Sequence, residues 1–237
     1  MPKSKNLTDE GPATGKIDSA RMKRRKRATR EKLLEAAYKV MSSKGIEATT
    51  LKEITEEADV GFGTIYNYFS DKDEIAARVL DCIIHDMGKR NDRATTHLKQ
   101  SDPVKVVATS QRLVVREALN DPMWRWWVQR PDLLVDRMRI GFRPFGIRDL
   151  QICVDGGFYS IIGDNLEATW NALMWTLVGS MRDVVMGDYP PKHKNLMIEA
   201  NLRVLGVPPE QAQEIANAPL PKYPKANIDF SFSVEDA

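Results

Sequence analysis

The stretch TTLKEITEEADVGFGTIYNYFSDKDEI, residues 49–75, constrains the fold of this chain more than any other. Within it two short helical patterns meet at a turn too tight for a flexible linker. Thr50, with Glu53 three residues on, has the form of a capping box, in which each side chain satisfies a free backbone donor at a helix start. Leu51, Ile54 and Ala58 make the buried stripe of that helix. Asp59-Val60-Gly61 must then reverse the chain, and Asp and Gly are residue types that tolerate the left-handed backbone such a turn needs. A further helix is expected from Gly61 to Tyr68, anchored by Ile65 and Phe69.

Upstream, Ala28 to Lys44 carries Leu33, Leu34, Ala37, Val40 and Met41 at the three-and-four spacing of one helix face, and Gly45 stops it. The helix after the turn is too short and too polar for a core element. Phe62, Gly63, Thr64, Tyr66, Asn67 and Tyr68 are left on its remaining surface, free to touch something else. Thr and Tyr hydroxyls suit phosphate oxygens, Asn pairs bidentately with adenine, and Gly63 lets the backbone approach a sugar-phosphate rail. An ordinary helical hairpin would account for surface aromatics alone. It would not account for RMKRRKR at residues 21–27, in which only Met22 is uncharged. A short polar-aromatic helix beside a basic segment is the makeup of a double-stranded DNA reader.

Residues 1–27 mix Gly, Pro, Ser, Thr and charge with few large apolar side chains, which predicts a flexible basic arm. Arg24, Arg25 and Arg27 would follow the DNA backbone or enter an adjacent minor groove; a solubilising tail is the plainer reading. From Arg21 to Lys72 there are twelve Lys and Arg against eight Asp and Glu, an excess of four. Since the whole chain is only +2, the remainder is −2 and the positive pole lies at this end.

The same stretch resembles the TetR family of bacterial transcriptional repressors over about residues 28–80. The residues carrying the resemblance are Leu34-Glu35-Ala36-Ala37, Gly45, Thr50 and Ile54, the run from Ala58 to Phe69, and Lys72-Asp73-Glu74. The resemblance implies that Thr50, Tyr66 and Lys72 bind phosphates, and that Phe62, Thr64 and Asn67 lie nearest to base edges. It also implies a homodimer on a pseudo-palindromic operator. Three positions depart from the family pattern. Gly61 replaces a capping Ser, Asp59 replaces a Gly, and Phe62 stands where a polar or basic residue is usual. Phe62 cannot donate a hydrogen bond, so packing on a thymine methyl or a sugar is its expected role.

Beyond residue 80 the pattern stays helical. A fourth helix is expected from Asp71 past Ile83, a fifth over Pro103–Leu119, a short sixth after Asp121-Pro122, and a seventh near Asp132. GFRPFG at residues 141–146 interrupts it, leaving open a kinked helix or a new one. Asn165 to Met186 and Lys192 to Leu205 read as long amphipathic helices, and Pro208-Pro209 opens a last one. The predicted organisation is all-α. A flexible arm (1–27) precedes a helix-turn-helix DNA-binding domain (28–75, its motif at 50–69), a larger helical ligand-binding and dimerisation domain (76–217) and a loose tail (218–237).

Aromatics are concentrated in the body. Trp124, Trp127, Phe142, Phe145, Phe158 and Trp170, with Met174, are candidates for the lining of an apolar ligand cavity, and the plainer reading is that they are core. The resemblance implies that such a cavity, once filled, moves the fourth helix and spreads the recognition helices. Six arginines between residues 125 and 148 would allow the small lipophilic effector to be acidic if one pointed inward; more often such a run is a solvated face. Leu173, Leu177 and Met181, with Leu196 and Leu202 on the following helix, are the candidate dimer interface, equivalent in the family to a four-helix bundle.

Catalysis has little to stand on. Cys82 and His85 share a helix face without a second ligand pair at metal spacing, and Gly156-Gly157 lacks the Lys or Ser of a phosphate loop or nucleophile elbow. No cofactor or metal is expected. With no CxxC pair, no leader and no apolar stretch near bilayer length, the expected location is the cytoplasm, at the nucleoid, with no membrane partner. The competing reading within the same fold is an architectural or cell-division regulator that answers to a protein partner and not to a ligand.

Overall fold

The computed structural model describes residues 14–233, and among them the chain forms helices and no strand. Helix α1 runs Thr14–Lys44, far longer than its apolar stripe requires. It absorbs the basic run, so the expected flexible arm is corrected: from Thr14 onward the arm is helix, and residues 1–13 lie outside the described residues. The reason is local. No Gly or Pro separates Lys16 from Lys44, Lys and Arg are good helix formers, and extending an existing helix needs no new nucleus. Arg27 pairs with Glu31 one turn on at 3.0 Å, and the Thr29 hydroxyl donates back to the Arg25 carbonyl.

Gly45 ends α1 with φ +86°, a left-handed cap. Helix α2, Leu51–Glu57, opens with the capping box complete: the Glu53 amide donates to Thr50 Oγ1 at 3.3 Å and the Thr50 amide to Glu53 Oε2 at 2.9 Å. At the turn Asp59 is the left-handed residue, with φ 51°. The recognition element is a 3₁₀ helix, Phe62–Asn67, where an α-helix was expected. Gly61 offers no side-chain oxygen to its free amides, and the short element is held to the core at Ile65 and Phe69.

Helix α3, Lys72–Ser101, is roughly 45 Å of continuous rod. Asp71 caps it by accepting from the Glu74 amide at 2.8 Å. Its first turns bury Ile75, Ala76 and Val79 within the head, and its later turns enter the body. The body consists of α4 (Lys105–Asn120), α5 (Met123–Val128), α6 (Pro131–Gly141), α7 (Arg143–Asp155), α8 (Leu166–Met186), α9 (His193–Val204) and α10 (Pro209–Asn217). Pro131, Pro144 and Pro209 stand in first turns, where a missing amide costs nothing. At the GFRPFG interruption α7 is a new helix, reached through Phe142 alone. Helix α8 is the axis of the body and packs on α4, α5, α6, α7 and α9.

The segment after α10 corrects a second expectation. It is extended but not loose. Ile228, Phe230 and Phe232 follow at every second position, and a turn closed by the Phe232 amide donating to the Asp229 carbonyl at 3.2 Å sets the last of them off from the extended part. Ile228 and Phe230 pack on the core, and Phe232 stacks on His85 of α3 at 3.9 Å. Residues 234–237 lie outside the described residues.

Candidate DNA-binding face and body cavity

The head holds the recognition element by its apolar side and leaves the rest bare. Ile65 and Phe69 are buried, whereas Phe62 and Tyr66 are about half exposed, at 50% and 55%, and meet edge to face at 5.8 Å. Gly63 and Asn67 are exposed, and Thr64 is half-buried. An added Cβ at Gly63 would meet nothing within 4 Å, so the backbone there is open to a close partner. These five residues make up the exposed and half-buried part of the recognition element. Tyr68 differs: it is half-buried against the core, with the Lys26 ammonium 6.0 Å from its ring.

Two expected phosphate ligands already have structural partners. The Thr50 hydroxyl donates to Glu53 Oε2 at 2.8 Å. Hydrogen bonds from Lys44 and Thr50 hold the Glu53 carboxyl down to about 2, so the capping box persists until the pH falls to that range. Lys72 donates to the carbonyls of Glu47 and Thr49, at 3.1 and 3.0 Å, and ties the α1–α2 loop to α3. That leaves one of its three N–H groups for a phosphate. On α1, Arg24 and Arg25 are exposed, as is Arg27 beside Glu31.

In the body, an apolar cavity of about 50 Å³ lies between α3, α4, α7 and α8. Of the residues expected to line it, Phe142, Phe145, Trp170 and Met174 do. Trp124 and Trp127 do not; both are 1% exposed and packed in the core, because the short helix α5 is wedged between α1 and α8. Phe158 is also excluded. It lies on the turn after α7, 51% exposed. Two glycines let the aromatic wall close: a Cβ at Gly88 would strike the Phe145 ring, and one at Gly146 the Trp170 ring.

The polar side of the cavity comes from residues that the aromatic pattern does not reveal. Asn91 and Asp92 of α3, Ser110 and Gln111 of α4 and Asp149 of α7 contribute to it. Gln111 is 4% exposed and its Nε2 has no hydrogen-bond partner. Its signal was a polar residue inside the apolar stripe Val107–Gln111–Val114. Asp92 and Asp149 share Arg148, at 2.5 and 2.8 Å, and Lys99 also pairs with both. Burial raises the Asp92 carboxyl, but the hydrogen bonds from Lys99 and Arg148 outweigh it and hold the group below its ordinary value.

No arginine lines this cavity, so the inward arginine on which an acidic effector depended is not among its walls. Arg130 lies over Trp126, Arg137 binds Asp81, Arg139 binds Asp136 and Arg143 binds Glu167. The candidate interface is corrected. Leu173, Leu177, Met181 and Leu202 are buried within the monomer, since neighbouring helices surround α8; Leu177 even lines the cavity. Leu196 is 60% exposed, and on α8 the exposed large apolar residue is Trp175 at 52%. Their stripes, Trp175-Gly179-Arg182 and Leu196-Ala200-Val204, lie on adjacent packed helices.

An exposed recognition element on a helix-turn-helix head, carried by a rod into a helical body, defines a DNA-binding transcriptional regulator. Comparisons with known proteins agree. Residues 33–79 match the family described as bacterial regulatory proteins, tetR family, and residues 102–218 match the tetracyclin repressor-like C-terminal domain. The chain belongs to the TetR family.

It is 33% identical over 84 residues to the transcriptional regulator TtgR of Pseudomonas putida, a match over 35% of this chain and 40% of that protein. To the uncharacterized regulator YfiR of Bacillus subtilis it is 34% identical over 65 residues, 27% of this chain and 32% of that one. These matches span about a third of the relatives' lengths. The crystal structure of RolR in complex with resorcinol superimposes over 84% of this chain and 98% of its own, with TM-score 0.76 and 28% identity. RolR without ligand gives 0.72, also at 28% identity, over 81% and 98%.

Proposed function

We propose that this chain is a ligand-responsive repressor that acts as a homodimer on a pseudo-palindromic operator and is released by a small, uncharged, hydroxyl-bearing aromatic molecule. The observation that carries the reading is the cavity itself. Three aromatic rings enclose it, Gln111 brings an unpartnered amide donor to its wall, and its charged members are carboxylates already neutralised by Lys99 and Arg148. A flat apolar ring fits between aromatic faces, and a hydroxyl both accepts from Gln111 and donates to an acidic neighbour. An anionic ligand would face Asp92 and Asp149 with no free cation beside it. The resorcinol complex of RolR supports the same chemistry.

Size supplies the switch. An engineered cavity of about 150 Å³ accepts benzene, whereas this one measures about 50 Å³. A bound ring therefore has to push its walls apart, and one wall is α3, whose other end is rooted in the head through Ile75 and Val79. Such a ligand favours the arrangement with displaced heads and so lowers operator affinity. The exposed stripes carrying Trp175 and Leu196 would join two copies with the recognition elements facing one duplex.

The test begins with selection of the operator from a randomised duplex library. Release of that operator is then measured against a panel of phenol, dihydroxybenzenes including resorcinol, benzoates and fatty acids. Release by hydroxyarenes but not by the carboxylates supports the proposal. Release by none, with thermal shifts absent as well, would return the protein to the partner-regulated alternative.

A further inference from the structure

The segment after α10 touches the cavity wall at one end and the DNA-binding head at the other. It leaves the body at Ala218, whose carbonyl accepts from Arg112 Nη1 at 2.6 Å, and then follows α3 back towards the head. The Tyr223 hydroxyl donates to Asn91 Oδ1 at 2.8 Å, and the Arg90 guanidinium lies 4.4 Å from the Tyr223 ring. The Asn227 amide donates to Asp86 Oδ1 at 3.3 Å. Phe232 stacks on His85, with the rings within 7° of parallel. Phe230 contacts Tyr38 of α1 at 5.7 Å. Between these anchors Ile228 borders a cleft of about 310 Å³ shared with Tyr38, Ser42 and Trp124.

Two of these partners belong to different working parts. Asn91 lines the cavity between α3 and α4, and Tyr38 belongs to the three-helix head. We infer that residues 219–233 form a regulatory strap that couples the state of the cavity at Asn91 to the position of the head at Tyr38. The inference rests on the reading of that cavity as the effector site. A rod such as α3 transmits a pivot, but it does not by itself prevent α1 from sliding along it. A second connection fixed to α3 at Asp86, His85 and Asn91 and to α1 at Tyr38 resists that slide. When a ligand moves Asn91, the half-buried Tyr223 hydroxyl must follow it or lose its acceptor, and the strap carries the displacement to the head.

The experiment uses the whole 237-residue chain, with the variants Tyr223→Phe, which removes one hydroxyl, and Phe230→Leu, which keeps an apolar side chain but removes the ring that meets Tyr38. Amide hydrogen exchange is followed in α1 and the recognition element, with α4 and α8 as internal references. Resorcinol is the probe for binding and for operator release. Phe230→Leu is expected to speed exchange in the head about fivefold or more while α4 and α8 stay at parental rates. Tyr223→Phe is expected to bind resorcinol within about threefold of the parent, yet to need about fivefold more of it to release half of the operator.

Head exchange unchanged in Phe230→Leu, exchange raised equally everywhere, or Tyr223→Phe release curves that overlay the parent's would each overturn the strap. A parent that does not bind resorcinol would count against the effector reading instead. The exchange measurement then decides the strap alone, through the same outcomes.

Discussion

Asn201 of α9 donates a 2.9 Å hydrogen bond to Gln111 Oε1, and this bond orients the buried Gln111 amide. With the oxygen committed to Asn201, the Nε2 group is left without a protein partner at the cavity wall. A ligand hydroxyl or carbonyl that accepts from it relieves an unsatisfied donor, a gain of about 1–2 kcal/mol. Gln111→Leu should therefore weaken hydroxyarene binding about 5- to 30-fold and leave affinity for the operator in its absence unchanged. Calorimetry paired with operator titration checks both halves. Loss of DNA binding in the variant would mean that Gln111 is a structural residue only.

Cavity filling gives the converse experiment. In Gly146→Ala the new methyl occupies the place of the Trp170 ring and drives it towards the cavity. The variant should remain dimeric and bound to its operator at ligand concentrations that release the parent at least about tenfold below saturation of the variant. Release at parental concentrations would show that the ligand sits elsewhere.

On the head, Asn67→Ala and Thr64→Ala should change the selected operator consensus, each base interaction removed costing roughly 1–3 kcal/mol. Tyr66→Phe should weaken all sequences alike. An unaltered consensus in the Asn67 and Thr64 variants would reassign base reading, with the exposed Phe62 as the next residue to test.

The basic run makes a salt-dependent prediction. Arg24→Ala combined with Arg25→Ala should flatten the slope of log affinity against log salt by up to about 0.9 for each phosphate that is no longer neutralised. Parallel slopes would make this half of α1 a bystander to DNA.

Dimerisation should depend on the exposed residues and not on the buried leucines. Trp175→Asp or Leu196→Asp should raise the dimer dissociation constant by a factor corresponding to about 2 kcal/mol or more, with the helical content kept. Leu173→Ala is expected instead to lower thermal stability, by about 2–5 kcal/mol, because it opens a hole in the monomer. Sedimentation and thermal melts separate the two effects, and a still-dimeric pair of Asp variants would place the interface on another face.

What could be read in advance was local. The Thr50–Glu53 capping box, the left-handed Asp59 and the stop at Gly45 depend on neighbours a few residues away, and each is present as expected. The burial of α8 was not legible, because the spacing of Leu173, Leu177 and Met181 shows that a face is apolar without showing what covers it. Trp124 and Trp127 failed for the same reason: an aromatic suits a core or a cavity wall equally, and only the meeting of α1, α5 and α8 decides between them. Composition conceals the structure of the arm and of the tail. Charge conceals a helix at residues 21–27, and polar neighbours conceal the anchoring of Ile228, Phe230 and Phe232.

Gly88 gives α3 a mechanical property of its own. A glycine inside a helix weakens it by roughly 0.5–1 kcal/mol relative to alanine, and here the position is imposed by the Phe145 ring occupying the space of a side chain. The lever that carries the head thus has its single glycine at the point where a ligand would load it. On the proposed reading, a load at this glycine would bend α3 instead of being resisted along the whole rod, and would turn the short stroke of a side chain into a wider swing of the recognition element.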